Sequence, residues 1–242
     1  MLGFHIEVER VVAAVAADAG RLHAAERGRQ VADVFRVEPD HAGFQRIRDA
    51  QQLSNAPKHV DVVRKYNTTS DMGADELREL LIDRLVDYGA AVVETTEADL
   101  AADIKKAIED RGWENPVYAP GMDEKLFDGL AGARPDDTSK NPRELGDVVA
   151  VTDSHVTCAV TGTIVLQSDS RCGRRALTLV PDRHICIVRR DEIVYGIPEV
   201  ISRMNPEKPA TWISGPSATS DIELTRVEGV HGPRDLIVVI VK

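Results

Sequence analysis

The chain has 242 residues, 43% of them apolar and 29% charged, with 30 basic against 40 acidic side chains and a net charge of −10. That length accommodates one large domain, or one with a small appendage, and buries roughly 70% of the surface an unfolded chain exposes without disulfide staples. The composition excludes a disordered chain, a collagen and a membrane bundle, and the acidity opposes a phosphate backbone unless the basic residues gather on one face.

In chain order, residues 7–18 read as a helix rich in Ala and charges. Residues 41–66 form a weakly amphipathic helical arm carrying Phe44, Ile47, Leu53, Val60 and Val63, with a break near Asn55-Ala56-Pro57. The arm over residues 1–70 has too few large apolar residues for a core of its own, so it is expected to pack on the main domain, residues 71–242, or on a partner. Leu77, Leu80, Leu81, Leu85 and Tyr88 recur at helical spacing, and Gly89 stands where a C-terminal cap belongs. A short apolar strand over 90–94 follows. Thr96-Glu97-Ala98-Asp99 matches a capping box with Thr96 as N-cap, opening a helix through Ile104 and Ile108 to Arg111. Residues 116–119 read as a second strand. The helix–strand–helix–strand rhythm predicts a parallel sheet covered by helices. Residues 135–142 are a polar surface loop.

Beyond Asp147 the chain is strand-rich, with strands expected over 147–151, 156–160, 163–167, 176–180, 184–188, 211–213 and 236–241. Several are continuous β-branched runs, as strands buried on both faces should be. A helix fits 197–204, with Pro198 in its first turn. The longest apolar runs, 11–17 and 236–241, fall short of the ~20 residues of a membrane helix, and the start shows no secretory signal. Cys158, Cys172 and Cys186, fourteen residues apart, suit reduced thiols in a cytoplasm. They make no C-x-x-C, so iron–sulfur chemistry would belong to another protein.

Four constellations can carry chemistry. Ser214-Gly215-Pro216-Ser217-Ala218-Thr219-Ser220-Asp221-Ile222-Glu223 follows a strand directly. Its hydroxyls and backbone N–H groups suit an anion at the carboxyl end of a strand, with Asp221 and Glu223 in a base or metal role. The same loop also reads as a tight turn whose hydroxyls cap its backbone. Gly229-Val230-His231-Gly232-Pro233-Arg234 offers His231 for proton transfer and Arg234 for a carboxylate; a connector in which His231 bonds a backbone carbonyl is the commoner reading of a lone His, and the nearness of the Ser214 loop favours a shared site. Thr161-Gly162-Thr163 allows a close backbone approach or a simple turn. Arg171, Arg174, Arg175, Arg183, Arg189 and Arg190 stand against the single acid Asp182, and pairing with the chain's own carboxylates is the favoured reading. Arginines around Cys172 are able to lower a thiol pKa, yet it reads as a small loop residue. His184 reads as a satisfied, half-buried residue at a strand start. No H-E-x-x-H, G-x-G-x-x-G or Walker A pattern is present, no metal site is assigned, and 4% aromatics leave few stacking platforms for nucleic acid.

Thr161-Gly-Thr-Ile-Val-Leu, Leu179-Val-Pro-Asp-Arg-His-Ile, Ser214-Gly-Pro-Ser-Ala-Thr-Ser-Asp-Ile-Glu and Gly229-Val-His-Gly-Pro-Arg occur in this order. Together they resemble the LUD domain family, in its lactate-utilization branch, over roughly residues 71–242. The resemblance implies a Rossmann-like α/β domain of the NagB/RpiA/CoA-transferase type with an added β-rich portion. It also implies the cluster-free subunit of a system oxidising L-lactate to pyruvate beside iron–sulfur partner subunits. His231, Glu223 and Asp221 would be its catalytic candidates. Thr161, Gly162, Thr163, Ser214, Gly215, Ser217, Thr219 and Arg234 would bind a small anionic ligand. Many family members carry an acid immediately before T-G-T, where this chain has Val160; Glu228 is a further acid near the motifs. An assembly protein without chemistry, or a stand-alone protein for a sugar phosphate or acyl-CoA, are the competing functions.

Overall fold

The computed structural model describes residues 41–54, 62–63, 65–219, 227–229 and 231–242. The backbone divides into two units, Met1–Arg64 and Lys65–Lys242. In the first, helix α1 spans His41–Leu53. The helix expected over 7–18 and the break at Asn55-Ala56-Pro57 lie outside the described residues.

The second unit begins its regular structure with helix α2, Ala74–Asp87. The Gly73 N–H donates to the Glu76 carboxylate at 2.7 Å, and Asp75 and Glu76 face the positive end of the helix dipole. Leu81 and Leu85, one turn apart, are fully buried. The helix closes at Gly89, whose N–H donates to Val86 O while that of Ala90 donates to Leu85 O. Strand β1 (Ala91–Thr95) follows, then helix α3 (Leu100–Glu109), with Leu100, Ile104 and Ile108 on its buried stripe. This helix starts later than its capping-box spacing predicts. Asp99 is the N-cap, and the Thr96 hydroxyl donates to its carboxylate at 2.8 Å. Asp is one methylene shorter than the Glu of a capping box and meets the hydroxyl instead of the Thr96 backbone.

Strands β2 (Pro116–Tyr118), β3 (Arg134–Pro135), β4 (Val149–Asp153), β5 (Val156–Cys158) and β6 (Thr163–Gln167) come next. Helix α4 (Arg175–Leu179) leads into β7 (Arg183–Arg189) and β8 (Ile193–Val194), then helix α5 (Ile197–Arg203) and β9 (Ala210–Ile213). A small antiparallel ladder, β10 (Ala218–Thr219) with β11 (Val227–Glu228), precedes β12 (Asp235–Val241). The strand expected over 176–180 is therefore helix α4. A five-residue apolar run does not distinguish a buried strand from a buried helical turn, and Leu177 packs into the core from this one. The loop expected over 135–142 begins inside β3.

The fold is α/β. Its main sheet runs β1-β12-β7-β4-β2-β3, parallel throughout. A second sheet, β8-β5-β6-β9, is antiparallel at β5/β6 and β6/β9. The main sheet is buried on both faces, which is why its central strands are mostly apolar, with His184 and Thr152 among the buried exceptions. Alternate residues feed two cores. Ile185, Ile187, Ile237 and Val239 join α3, while Cys186, Val188, Leu236 and Val238 join α2 and the β6 residues Ile164 and Leu166. A third cluster, with Val156, Val165 and the α5 residue Val200, holds the far side of the second sheet. Among the described residues no helix is long and apolar enough to cross a membrane.

Candidate functional site

His184 and Leu236 are each the second residue of their strands, β7 and β12, and are register partners. Above them the Ser214–Ala218 loop and the His231–Pro233 turn enclose a cavity of about 210 Å³, closed by Leu179, Trp212 and Ile213. The first loop does follow the carboxyl end of β9. It nevertheless lies at the amino ends of β7 and β12, because β9 belongs to the second sheet.

The two loops are tied through Ser217. Its N–H donates to Pro233 O at 2.8 Å, its carbonyl accepts from Gly229 N–H at 2.9 Å, and its hydroxyl accepts from His231 N–H at 3.1 Å. Among the described residues that hydroxyl's own proton has no acceptor. The His231 side chain is exposed at the cavity mouth.

The T-G-T motif supports the wall rather than lining the cavity. Thr161 Oγ1 and Thr163 Oγ1 are 2.7 Å apart, and Thr163 Oγ1 lies 2.8 Å from Ser214 Oγ, a chain of three hydroxyls. Both candidate glycines are close-approach positions against the end of α2. Gly162 has φ +61°, and a Cβ there would come within 2.9 Å of Arg84 Cβ. Gly215 has φ +79°, and a Cβ would fall 2.5 Å from Tyr88 Cβ. No L-side chain fits such a place without strain. Arg234 pairs with Asp182 at 3.3 Å and stands outside the cavity lining. Thr219 continues into β10, and Glu228 lies on β11. Asp221 and Glu223 lie outside the described residues. The structure thus brings Ser214, Gly215, Ser217 and His231 around one cavity, with Thr161 and Thr163 behind them.

One residue at this cavity has a character the sequence reading missed. His184 is fully buried rather than half-buried. Its Nε2 lies 2.8 Å from Thr152 Oγ1 on β4, while Nδ1 has no hydrogen-bond partner among the described residues. Burial pulls its pKa down to about 4, so the ring is neutral at physiological pH. A buried polar atom without a partner costs on the order of 1–3 kcal/mol and demands an explanation. The signal in the sequence was a lone polar residue opening an otherwise apolar strand, His184-Ile-Cys-Ile-Val.

The arginines lie largely elsewhere. Arg171, Arg174, Arg183, Arg189 and Arg190 all have carboxylate partners, as self-pairing predicts. Arg174 grips the buried Asp136 with two bonds, 2.8 and 3.0 Å. At the carboxyl ends of β4 and β7, Arg171 joins Asp153 to Glu192, and Arg189 joins Asp153 to Glu97. Burial pushes both the Asp153 and the Glu192 carboxyls up, against the pull of these arginines. Cys172 is not activated, in keeping with its reading as a small loop residue. Burial, then the charge of Asp169, drives its pKa up rather than down, and all three thiols are buried. Among the described residues no three His, Cys, Asp or Glu side chains are grouped to hold a metal.

The LUD domain family model matches residues 58–241. A protein of Deinococcus radiodurans named lactate utilization protein C is 39% identical over 198 residues, covering 77% of this chain and 89% of that relative. A Macrococcus caseolyticus protein of the same name is 30% identical over 201 residues, covering 73% and 85%. The crystal structure of a DUF162 family protein from Deinococcus radiodurans superimposes with a TM-score of 0.59 at 32% identity, covering 71% of this chain and 99% of that one. The sequence motifs, the α/β architecture and these likenesses agree, and the chain belongs to the LUD domain family.

Proposed function

We propose that this protein acts in lactate utilization, as the cluster-free subunit of an iron–sulfur-dependent system that oxidises L-lactate to pyruvate. The relatives' name supports the pathway. Iron–sulfur centres in partner subunits would take up the two electrons that lactate loses, and its two protons would pass to bases in contact with solvent. The three thiols of this chain are free and buried, which suits a reducing cytoplasm.

The observation that carries a ligand-binding role is the cavity between the Ser214–Ala218 loop and the His231–Pro233 turn. Its volume of about 210 Å³ lies below the roughly 300–1,000 Å³ of drug-sized ligand pockets, so it favours a short acid over a coenzyme thioester. Ser217 Oγ and the exposed His231 ring supply donors for a carboxylate at the mouth. Leu179, Ile213 and Leu236 supply apolar wall for a methyl group.

The test has two parts. Affinity-tagged protein recovered from native cells growing on lactate is expected to bring down iron-containing partners with lactate-dependent dye reduction. Ser217→Ala combined with His231→Ala is expected to leave the assembly intact and to lower that turnover at least tenfold. Recovery without iron or dye reduction rejects the pathway reading, and full turnover in the double variant rejects the cavity's role.

A further inference from the structure

We infer that His184 is the recognition group at the floor of this cavity, its Nδ1 hydrogen-bonding the 2-oxygen of a short 2-hydroxy or 2-oxo acid. The inference rests on the reading of the cavity as an acid site. Four buried side-chain polar atoms lack a hydrogen-bond partner among the described residues, and only that of His184 belongs to a residue lining the cavity. The ring is anchored from one side. Nε2 faces Thr152 on β4, one flank of β7, while Leu236, its neighbour on the other flank, lines the cavity with it. Nδ1 is then the ring's one polar atom without a hydrogen-bond partner among the described residues, buried beneath the cavity lining.

The surroundings suit both oxidation states of such an acid. A neutral imidazole has one donor and one acceptor nitrogen, and the partner at Nε2 decides which is which. The Thr152 hydroxyl has two acceptors in reach, His184 Nε2 at 2.8 Å and, more weakly, Cys186 Sγ at 3.9 Å. With the Thr152 proton toward sulfur, Nε2–H donates to Thr152 and Nδ1 accepts from a 2-hydroxyl. With the Thr152 hydroxyl donating to an unprotonated Nε2, Nδ1 carries the ring hydrogen and donates to a 2-oxo group. A rotation of one hydroxyl, with the matching tautomer change in the ring, accommodates alcohol and ketone alike. Burial keeps the ring uncharged, so it selects a neutral oxygen and leaves the carboxylate for Ser217 and His231.

The experiment is nitrogen NMR of the full chain labelled with 15N-histidine, the His184 signals being assigned from the His184→Gln spectrum. Sodium L-lactate, pyruvate and propionate are titrated in turn; propionate matches their size but lacks the 2-oxygen. L-Lactate and pyruvate are expected to move the Nδ1 resonance saturably by several ppm, and propionate to leave it in place. An equal shift with propionate overturns the inference. So does binding seen at the Ser217 and His231 amides with an unmoved His184 ring, and that result leaves the acid-site reading standing. No response anywhere to any of the three acids overturns both.

Discussion

Thr163 Oγ1 lies 2.8 Å from Ser214 Oγ, although fifty-one residues separate them. This bond joins the start of β6 to the loop that follows β9, its antiparallel neighbour, so the sheet register sets the position of the cavity wall. Thr163→Val keeps the shape and removes the hydroxyl. The variant loses hydrogen bonds to both Ser214 and Thr161 and is expected to lose about 1–2 kcal/mol, a modest sum because the two hydroxyls left behind can turn to water. Urea denaturation checks this: the midpoint should fall with an unchanged slope.

Gly215→Ala is expected to do more. The new methyl group must occupy a left-handed backbone and meet Tyr88 Cβ at 2.5 Å. Left-handed strain and overpacking together come to about 2–4 kcal/mol. A thermal melt showing no loss of stability would mean that the loop does not sit against the end of α2 as described.

His184 makes stability depend on pH. In the unfolded chain its pKa is near 6.5, and in the folded protein burial lowers it to about 4. Between those values the unfolded state binds the extra proton, so stability falls as pH drops from 6.5 toward 4. At pH 5 the loss comes to about 2 kcal/mol. The His184→Gln variant lacks this contribution. Denaturation at pH 7.5 and pH 5.0 should show wild type losing more than the variant by about that amount.

Arg171→Gln removes the cation between Asp153 and Glu192, both largely buried. Asp153 keeps Arg189 at 3.5 Å, so Glu192 is the carboxylate left without its cation, and breaking such a buried pair costs about 3–5 kcal/mol when the carboxylate stays ionised. Burial already raises both pKa values, and loss of the arginine raises them further. The sign follows: the penalty is largest at neutral pH and shrinks as pH falls and the carboxyls take up protons. Comparing variant and wild type at pH 7.5 and pH 5.0 measures this. An equal penalty at both values would indicate that these carboxylates do not titrate in that range.

Much of the architecture was legible because burial imposes period and composition locally. Leu77 to Leu85 with Gly89, and the uninterrupted 236–241 run, carry their own signals for helix, stop and buried strand. Residues 176–180 misled because five apolar residues fit either a strand or a helical turn. The site was legible in part. Hydroxyl- and glycine-rich loops mark Ser214, Ser217 and His231, but the same composition serves a turn, and Gly162 and Gly215 prove to be packing positions against α2.

By itself the sequence determined the family, the α/β class and the two loops that meet, since each is written in contiguous residues. Only the tertiary structure decided that the loops close over the amino ends of β7 and β12, that Arg234 turns to Asp182, and that His184 keeps one unpartnered nitrogen. The physical reason is the same in each case. A hydrogen-bond deficit, an ion-pair choice and a cavity are properties of groups brought together from distant strands, and no stretch of chain contains them.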